Sequence, residues 1–293
     1  MKKISVIILN YLKAERVAEN IDFLSKQEWD FELEIILVDN SCNKNEEKIL
    51  NKLNKFKNLE NKTNLKVKTI FNKKNSWYTK WNNIWAKSVT WDLILILNPD
   101  ILIKDVNIIT ELSKYLDENP DVWIIWPKQI NDNWEVPIIT RRFPNLFAQI
   151  SRRTCLRNFP IIKWIVEKDE YKDLDLNKIQ SVDWIQSSCI MLSKELWDKI
   201  WGFDENYKIF LADPEICFQS WKLWKKVIYF PEVIVYADWK RASWWWAIDF
   251  FKSWVLRQHL IDSIKYLIKH IFSSNPREDF FIEENKKLVR KTI

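Results

Sequence analysis

One glycine, Gly202, serves a chain of 293 residues. At the usual abundance near 7%, a chain of this length carries roughly 20. All but one of its tight turns, left-handed helix caps and close backbone approaches must therefore use residues with a Cβ, which resist positive φ. Tryptophan is in matching excess, at nineteen. Together the two counts reach the expected number of glycines. This predicts that many of these tryptophans stand at glycine positions, a UGA codon that the source reads as Gly having been translated as Trp. The alternative is a genuinely Trp-rich protein, for example one that binds carbohydrate faces.

The remaining composition bounds the class. With 47% hydrophobic and 29% charged residues the chain is globular rather than disordered, and its length suits one large α/β domain, alone or with a small appendage. The basic start Met1-Lys2-Lys3 precedes an apolar run, Ile4–Leu9, too short for a signal peptide, so a first strand is expected there. No stretch approaches the ~20 apolar residues of a membrane span. Cys42, Cys155, Cys189 and Cys217 form no CxxC pair and have no His nearby, which indicates neither a zinc site nor a disulfide framework. Reduced cytosol is the expected compartment. The net charge of +6 is compatible with several anionic partners and specifies none.

Short apolar runs alternate with longer amphipathic stretches. Residues 4–9, 34–38, 66–71 and 92–97 read as buried parallel strands, separated by helical spacing over 14–26, 45–57 and 78–88. The alternation implies a Rossmann-like, mostly parallel sheet flanked by helices. A helix over 105–118 and a strand over 122–126, stopped by Pro127, follow. Residues 131–175 read as irregular and 181–192 as extended. A helix over 213–223 and strands over 226–229 and 233–236 come next. Residues 247–272 form a long helical pattern with its apolar positions on one face, expected to be core or a docking face, or else a membrane-surface face. Residues 274–293 read as a charged, frayed tail.

Ligands of open α/β sheets bind beyond the carboxyl ends of the strands. Here four successive strands end in Asn10-Tyr11, Asp39-Asn40, Asn72 to Asn75 and Asn98-Pro99-Asp100. Each alone is an ordinary turn residue. Together they make a rim of oxygen ligands suited to a hard cation, Mg²⁺ or Mn²⁺, carrying a phosphate-bearing substrate. Asp100 is the best candidate metal ligand. No glycine-rich phosphate loop is present, even with Gly restored at the Trp positions.

These segments resemble a known family. Ser5–Tyr11, Glu34–Ser41, Asn75–Ala86, Trp91–Asp100, Val122–Pro127 and Ile200–Glu205 are similar, in order, to the motif series of family 2 inverting glycosyltransferases, nearest the rhamnosyltransferase-like branch. Several tryptophans coincide with glycines of that family, and Asn98-Pro99-Asp100 stands for its Asp-x-Asp element. The resemblance spans roughly residues 4–246. It implies a GT-A fold over 1–246, with a nucleotide-sugar half at 1–104, an acceptor and catalytic half at 105–246, and a C-terminal helical extension at 247–293. It implies transfer of a sugar from a nucleotide-diphospho-sugar, dTDP-rhamnose among the candidates, to a hydroxyl of a glycan or lipid-linked acceptor.

By the same resemblance Asp39 contacts the nucleobase and Asp100 holds the divalent metal on the diphosphate. Asn10, Asn75, Asn82, Asp92 and Asn98 line the nucleotide-sugar site, and Lys240 and Arg241 reach its phosphates. Asp213 becomes the general base. Ala212 replaces a family Glu beside it, leaving Glu215 as a substitute base, and an N-cap role for Asp213 ahead of Pro214 is compatible with either. The family's usual products imply a cytoplasmic protein with peripheral contact at the inner membrane face and no nucleic-acid partner. A sugar-1-phosphate nucleotidyltransferase is the nearest alternative, but residues 10–20 lack its basic, Gly-rich loop. A non-catalytic carbohydrate-binding protein is the alternative outside enzymes.

Thirteen positions favour glycine: 77, 81, 85, 91, 123, 126, 134, 201, 224, 239, 244, 245 and 246. Trp29, Trp164, Trp184, Trp197, Trp221 and Trp254 lie in apolar or helical contexts and read as true tryptophans.

Overall fold

The computed structural model describes residues 2–28, 31–53, 65–75, 77–89, 92–137, 140–144, 151, 158–171, 174–237 and 254–292. The first strands are apolar on both faces, so each must be covered on both sides. In β1 (Lys3–Asn10), Ile4, Val6 and Ile8 enter one core and Ile7 the other. β2 (Glu32–Asp39) and β4 (Leu93–Leu97) alternate in the same way, with Leu95 and Leu97 on one side and Ile94 and Ile96 on the other. β3 (Leu65–Phe71) flanks β2. α1 (Ala14–Ser25), α2 (Lys44–Leu53) and α4 (Ile108–Glu118) cover the first core through Ile21, Leu24, Leu50 and Leu112. α3 (Tyr78–Ser88), α6 (Lys194–Ile200) and α7 (Ala212–Lys222) cover the second through Ala86, Leu196 and Ile216. α5 (Pro160–Asp169) lies between these groups in sequence, inside the stretch read as irregular.

Among the described residues nine strands form one sheet, ordered β3-β2-β1-β4-β8-β6-β9-β5, with β7 paired to β9. The remaining members are β5 (Ile101–Leu102), β6 (Val122–Asn131), β7 (Gln180–Ser181), β8 (Cys189–Ser193) and β9 (Lys226–Ala237). The first four strands are parallel, as expected, and β8 enters antiparallel between β4 and β6. Register then decides the site. Asn10 pairs with Asp39, Asp39 with Phe71, and Ile7 with Ile96, so the carboxyl ends of β1 to β4 lie along one edge.

Several boundaries differ from the sequence reading. β6 runs through Pro127 to Asn131, because a register shift between Pro127 and Lys128 lets the imino residue sit where the ladder is already interrupted. The two strands expected at 226–229 and 233–236 are one strand along the same partner. Of 181–192, the two ends lie in strands, and Trp184 between them makes an isolated antiparallel bridge to Arg141. The expected frayed tail is instead α9 (Pro276–Thr292), begun by Pro276 with acids in its first turn. Phe280 docks it edge-on against Trp221 at 5.3 Å.

The long C-terminal pattern forms α8 (Trp254–His270), but it is turned over. Its buried residues include Gln258, Asp262, Ser263 and Tyr266, while its apolar stripe faces outward. Asp262 is the reason. Its Oδ2 accepts the backbone N–H groups of Lys208, Ile209 and Phe210 at 3.2, 3.3 and 3.1 Å, fixing the polar side inward.

Candidate functional site

At the sheet edge the strand-end residues are brought together by mutual hydrogen bonds. Asn10 Nδ2 donates to Asp39 Oδ1 at 2.9 Å and to Glu46 Oε2 at 3.0 Å. Asp39 is buried and also accepts from the Ser41 backbone and hydroxyl, at 3.1 and 3.0 Å. Asn40 Nδ2 reaches Asn75 Oδ1 at 2.8 Å. Glu46 accepts the Ala14 N–H at 2.9 Å, closing the first turn of α1, which has no side-chain cap of its own. This lattice makes the rim rigid, with Asn75 as its exposed member.

One strand further along, the turn Asn98-Pro99-Asp100 is pinned from both sides. The Asn98 N–H donates to Ser188 O at 2.8 Å, and the buried Asn20 Nδ2 donates to Pro99 O at 3.2 Å. Asp100 projects from the turn with its side chain 43% exposed, and Lys13 Nζ lies 3.8 Å away. Among the described residues no three His, Cys, Asp or Glu side chains converge on one point. Asp100 nevertheless fits a divalent ion whose other ligands arrive with the substrate, since Mg²⁺ is commonly held by one or two carboxylates plus substrate phosphates.

Asp213 is the second residue of α7, after Ala212, so the N-cap role expected for it ahead of Pro214 is not the one it has. The N-cap is Leu211, at φ 63°, a left-handed conformation strained for a branched side chain. Burial raises the Asp213 carboxyl to about 6, although hydrogen bonds from the Ser187 side chain and backbone act in the opposite sense. Its Oδ1 is buried and finds no hydrogen-bond partner among the described residues. The Tyr78 and Ser187 hydroxyls share a 2.9 Å hydrogen bond. Burial raises the Tyr78 phenol well above its ordinary range, and the carboxylates of Asp213 and Asp100 add to the effect. Tyr78 therefore lies within the field of both acids and stays protonated.

Other expected members fall elsewhere. Asp92 does not join the rim. It stands at the amino end of β4, where its carboxylate accepts the Lys3 N–H at 3.1 Å, a strand length from the site. Asn82 is buried in α3 and donates to Tyr78 O at 2.9 Å. Its Oδ1 is unpartnered among the described residues, so it supports Tyr78 from within the helix. Glu215, the substitute base, is withdrawn: Lys269, Gln219 and His270 contact it at 2.8, 2.7 and 2.7 Å. These partners outweigh burial and hold its carboxyl at about 2. Lys240 and Arg241 lie outside the described residues. A cleft of about 630 Å³ beside Gly202, lined by Asp204, Gln219 and Lys222 among others, contains none of the strand-end residues.

Sequence reasoning missed Glu46, Tyr78 and Ser187. Glu46 and Ser187 gave no local signal. Tyr78 was visible only as the first residue of a helix following a strand end.

With this geometry in place, comparison with known proteins becomes informative. The profile described as Glycosyl transferase family 2 matches residues 5–201. No protein of curated function matches in sequence. Among solved structures, the chain is similar to the mannosyltransferase PcManGT of Pyrobaculum calidifontis, in complex with GDP-Man and Mn²⁺, at TM-score 0.58 and 14% identity, covering 96% of this chain and 68% of that one. It is similar to GalNAc-T7 with UDP, GalNAc and Mn²⁺ at TM-score 0.59 and 15% identity, covering 82% of this chain and 44% of that one. It is also similar to TarS of S. aureus at TM-score 0.53 and 20% identity, covering 81% of this chain and 37% of that one. At these identities the likeness establishes the fold. The chain spans less than half the length of the last two.

Proposed function

The chain belongs to glycosyl transferase family 2, and from that premise we propose that it transfers a sugar, with inversion, from a nucleotide-diphospho-sugar to a hydroxyl of a glycan or lipid-linked acceptor. The observation that carries the reading is Asp213: a buried carboxyl at about 6, hydrogen-bonded by Ser187 beside Tyr78, whose phenol feels both Asp213 and the exposed Asp100. Such a group is ionised at neutral pH yet still basic enough to accept a proton. In this reading Asp213 takes the proton of the acceptor hydroxyl as its oxygen bonds to the anomeric carbon and the bond to the diphosphate breaks. The nucleoside diphosphate leaves with the bonding electrons. Asp39, Asn10, Asn75 and Asn98 line the donor site, in the half formed by residues 1–104. Asp100 would hold a divalent metal, which when bound supplies Lewis-acid stabilisation to the diphosphate. Lys13, beside Asp100, adds a second positive charge. The structural neighbours solved with GDP-Man and Mn²⁺, and with UDP, GalNAc and Mn²⁺, support this donor class. A dTDP-rhamnose donor rests on the sequence resemblance.

Turnover of a panel of nucleotide-sugars with Mn²⁺ tests the reading. Asp100→Ala and Asp213→Ala are each expected to lower kcat/KM by about 10²–10⁴-fold. Turnover that survives both changes overturns it.

We also infer that the thirteen tryptophans stand at glycine positions of the natural protein. Trp134, Trp201 and Trp224, all in that set, adopt φ of 63, 63 and 59°. Among the described residues the indole N–H groups of Trp81 and Trp126 are buried without a hydrogen-bond partner, although that of Trp197, read as a true Trp, is as well.

A further inference from the structure

α8 is amphipathic in the reverse sense from a helix packed on a core. Leu260, Ile261, Ile264, Ile268 and Ile271 are 42, 45, 47, 67 and 68% exposed, and Phe272 just beyond the helix is 99% exposed. At 100° per residue these positions fall in one sector about 120° wide. The opposite sector holds Gln258, Asp262 and Tyr266, all buried against the domain. A contiguous apolar stripe of this kind on a folded surface marks a contact face.

Charge decides what the face contacts. Between Trp254 and Ser274 the chain carries one acid, Asp262, and it is fully buried under three backbone N–H groups. The exposed charges of this segment are therefore cationic. Arg257 lies within the apolar sector and Lys265 borders it while donating to Asn206 O at 2.8 Å, whereas Lys269 lies on the inward side, paired with Asp204 and Glu215. A second copy presenting the same face would bring like charges together. An anionic lipid surface complements both features, taking the apolar stripe at the boundary of headgroups and acyl chains and the cations among the phosphates.

We propose that α8 is a peripheral docking surface for an anionic bilayer. The helix lies flat on the bilayer and spans nothing, consistent with no helix among the described residues being long and apolar enough to cross one. Docking there has a structural consequence for the site. Asp262 ties α8 to Lys208–Phe210, the segment that leads directly into Leu211 and Asp213. The membrane would thus present a lipid-linked acceptor on the side of the candidate base. The proposal deepens the acceptor reading above and rests on it only for its purpose.

Vesicle co-sedimentation of the full chain tests it without turnover, so its failure is distinguishable from failure of the transferase reading. The chain is expected to sediment with phosphatidylcholine vesicles containing one-third phosphatidylglycerol, and at least tenfold less with phosphatidylcholine alone or at high salt. Ile264→Ser/Ile268→Ser, a surface change, is expected to reduce anionic-vesicle binding at least tenfold while circular dichroism is unchanged. Wild-type protein that stays in the supernatant with anionic vesicles overturns the proposal. So does a dimer in light scattering that the double substitution disperses, which would make the face a contact between copies.

Discussion

At the scale of single residues, Asp213 combines two roles in tension. Its carboxyl is raised to about 6 because burial disfavours the charged form. A group whose folded-state pKa lies above its unfolded value stabilises the fold at low pH. That contribution is lost as pH rises from about 4 through about 6. At neutral pH the ionised carboxylate is therefore a local cost, which the proposed role as general base would account for. Asp213→Asn keeps the shape and removes the charge. It is expected to lower kcat/KM by about 10²–10⁴-fold while raising unfolding stability at pH 8 by roughly 1–3 kcal/mol. The wild-type kcat/KM should rise with pH through an acid limb near 6 that the variant lacks. Denaturant unfolding and a pH–rate profile check both parts, and an Asn variant that loses stability would make the Asp213 carboxylate a structural element of the first turn of α7. The residue was legible through the family resemblance, whereas its place ahead of Pro214 pointed to an N-cap that Leu211 occupies instead. Its burial, and the Ser187 and Tyr78 partners that tune it, depend on tertiary contacts more than 100 residues apart in the case of Tyr78 and Ser187, which no local pattern encodes.

At the scale of elements, the sequence announced what is local and hid what is relational. The four parallel strands were legible because strands covered on both faces need continuous apolar runs, and their Asn and Asp exits followed from turn chemistry. The orientation of α8 was not legible. Its apolar periodicity fixes that one face differs from the other, and only the contact of Asp262 with residues 208–210 fixes which face turns inward. Asp92 was misplaced for a related reason: strand polarity puts the residue before β4 at the wrong end of the sheet. The junction of α7 and α8 gives a direct test. Glu215, 3% exposed, receives Lys269 and His270 from α8. Its depressed pKa, about 2, means the stabilisation is present above about 4.5 and is lost as pH falls toward 2. Glu215→Ala leaves Lys269 facing an uncharged buried site and removes the hydrogen-bond partner of His270, and is expected to cost about 3 kcal/mol. Hydrogen exchange should show α8 released first. Uniform protection of α8 in the variant would mean that Asp262 alone holds the helix.

At the scale of the whole molecule, the question is whether a chain nearly without glycine carries strain that glycine at the thirteen positions would relieve. Gly202 shows what the fold demands where a glycine is present. It sits at φ +81°, and a Cβ there would collide with Asn83 Oδ1 and come within 2.9 Å of the Trp197 ring. The chain follows left-handed turns elsewhere with tryptophan. Trp201 caps α6 in the left-handed conformation, Trp224 follows the end of α7, and Trp134 turns between Asn131 and Glu135. Two of these side chains are about 80% exposed, at 81% for Trp134 and 80% for Trp201, so they bring little burial to offset the backbone cost. Left-handed backbone costs an L-residue roughly 1–2 kcal/mol. Trp134→Gly, Trp201→Gly and Trp224→Gly should therefore each stabilise the chain by about 1 kcal/mol, and the three together by about 3 kcal/mol if the sites are independent. The opposite is expected at Trp221, which is buried, donates from its indole to Val182 O at 3.1 Å and packs on Phe280. There the change to Gly should cost about 3–5 kcal/mol. Denaturant midpoints of the four variants separate the two classes, and the gene provides an independent reading. TGA codons at the thirteen positions and TGG at the six others are expected. TGG throughout, or a loss of stability at all four sites, would make these tryptophans native residues.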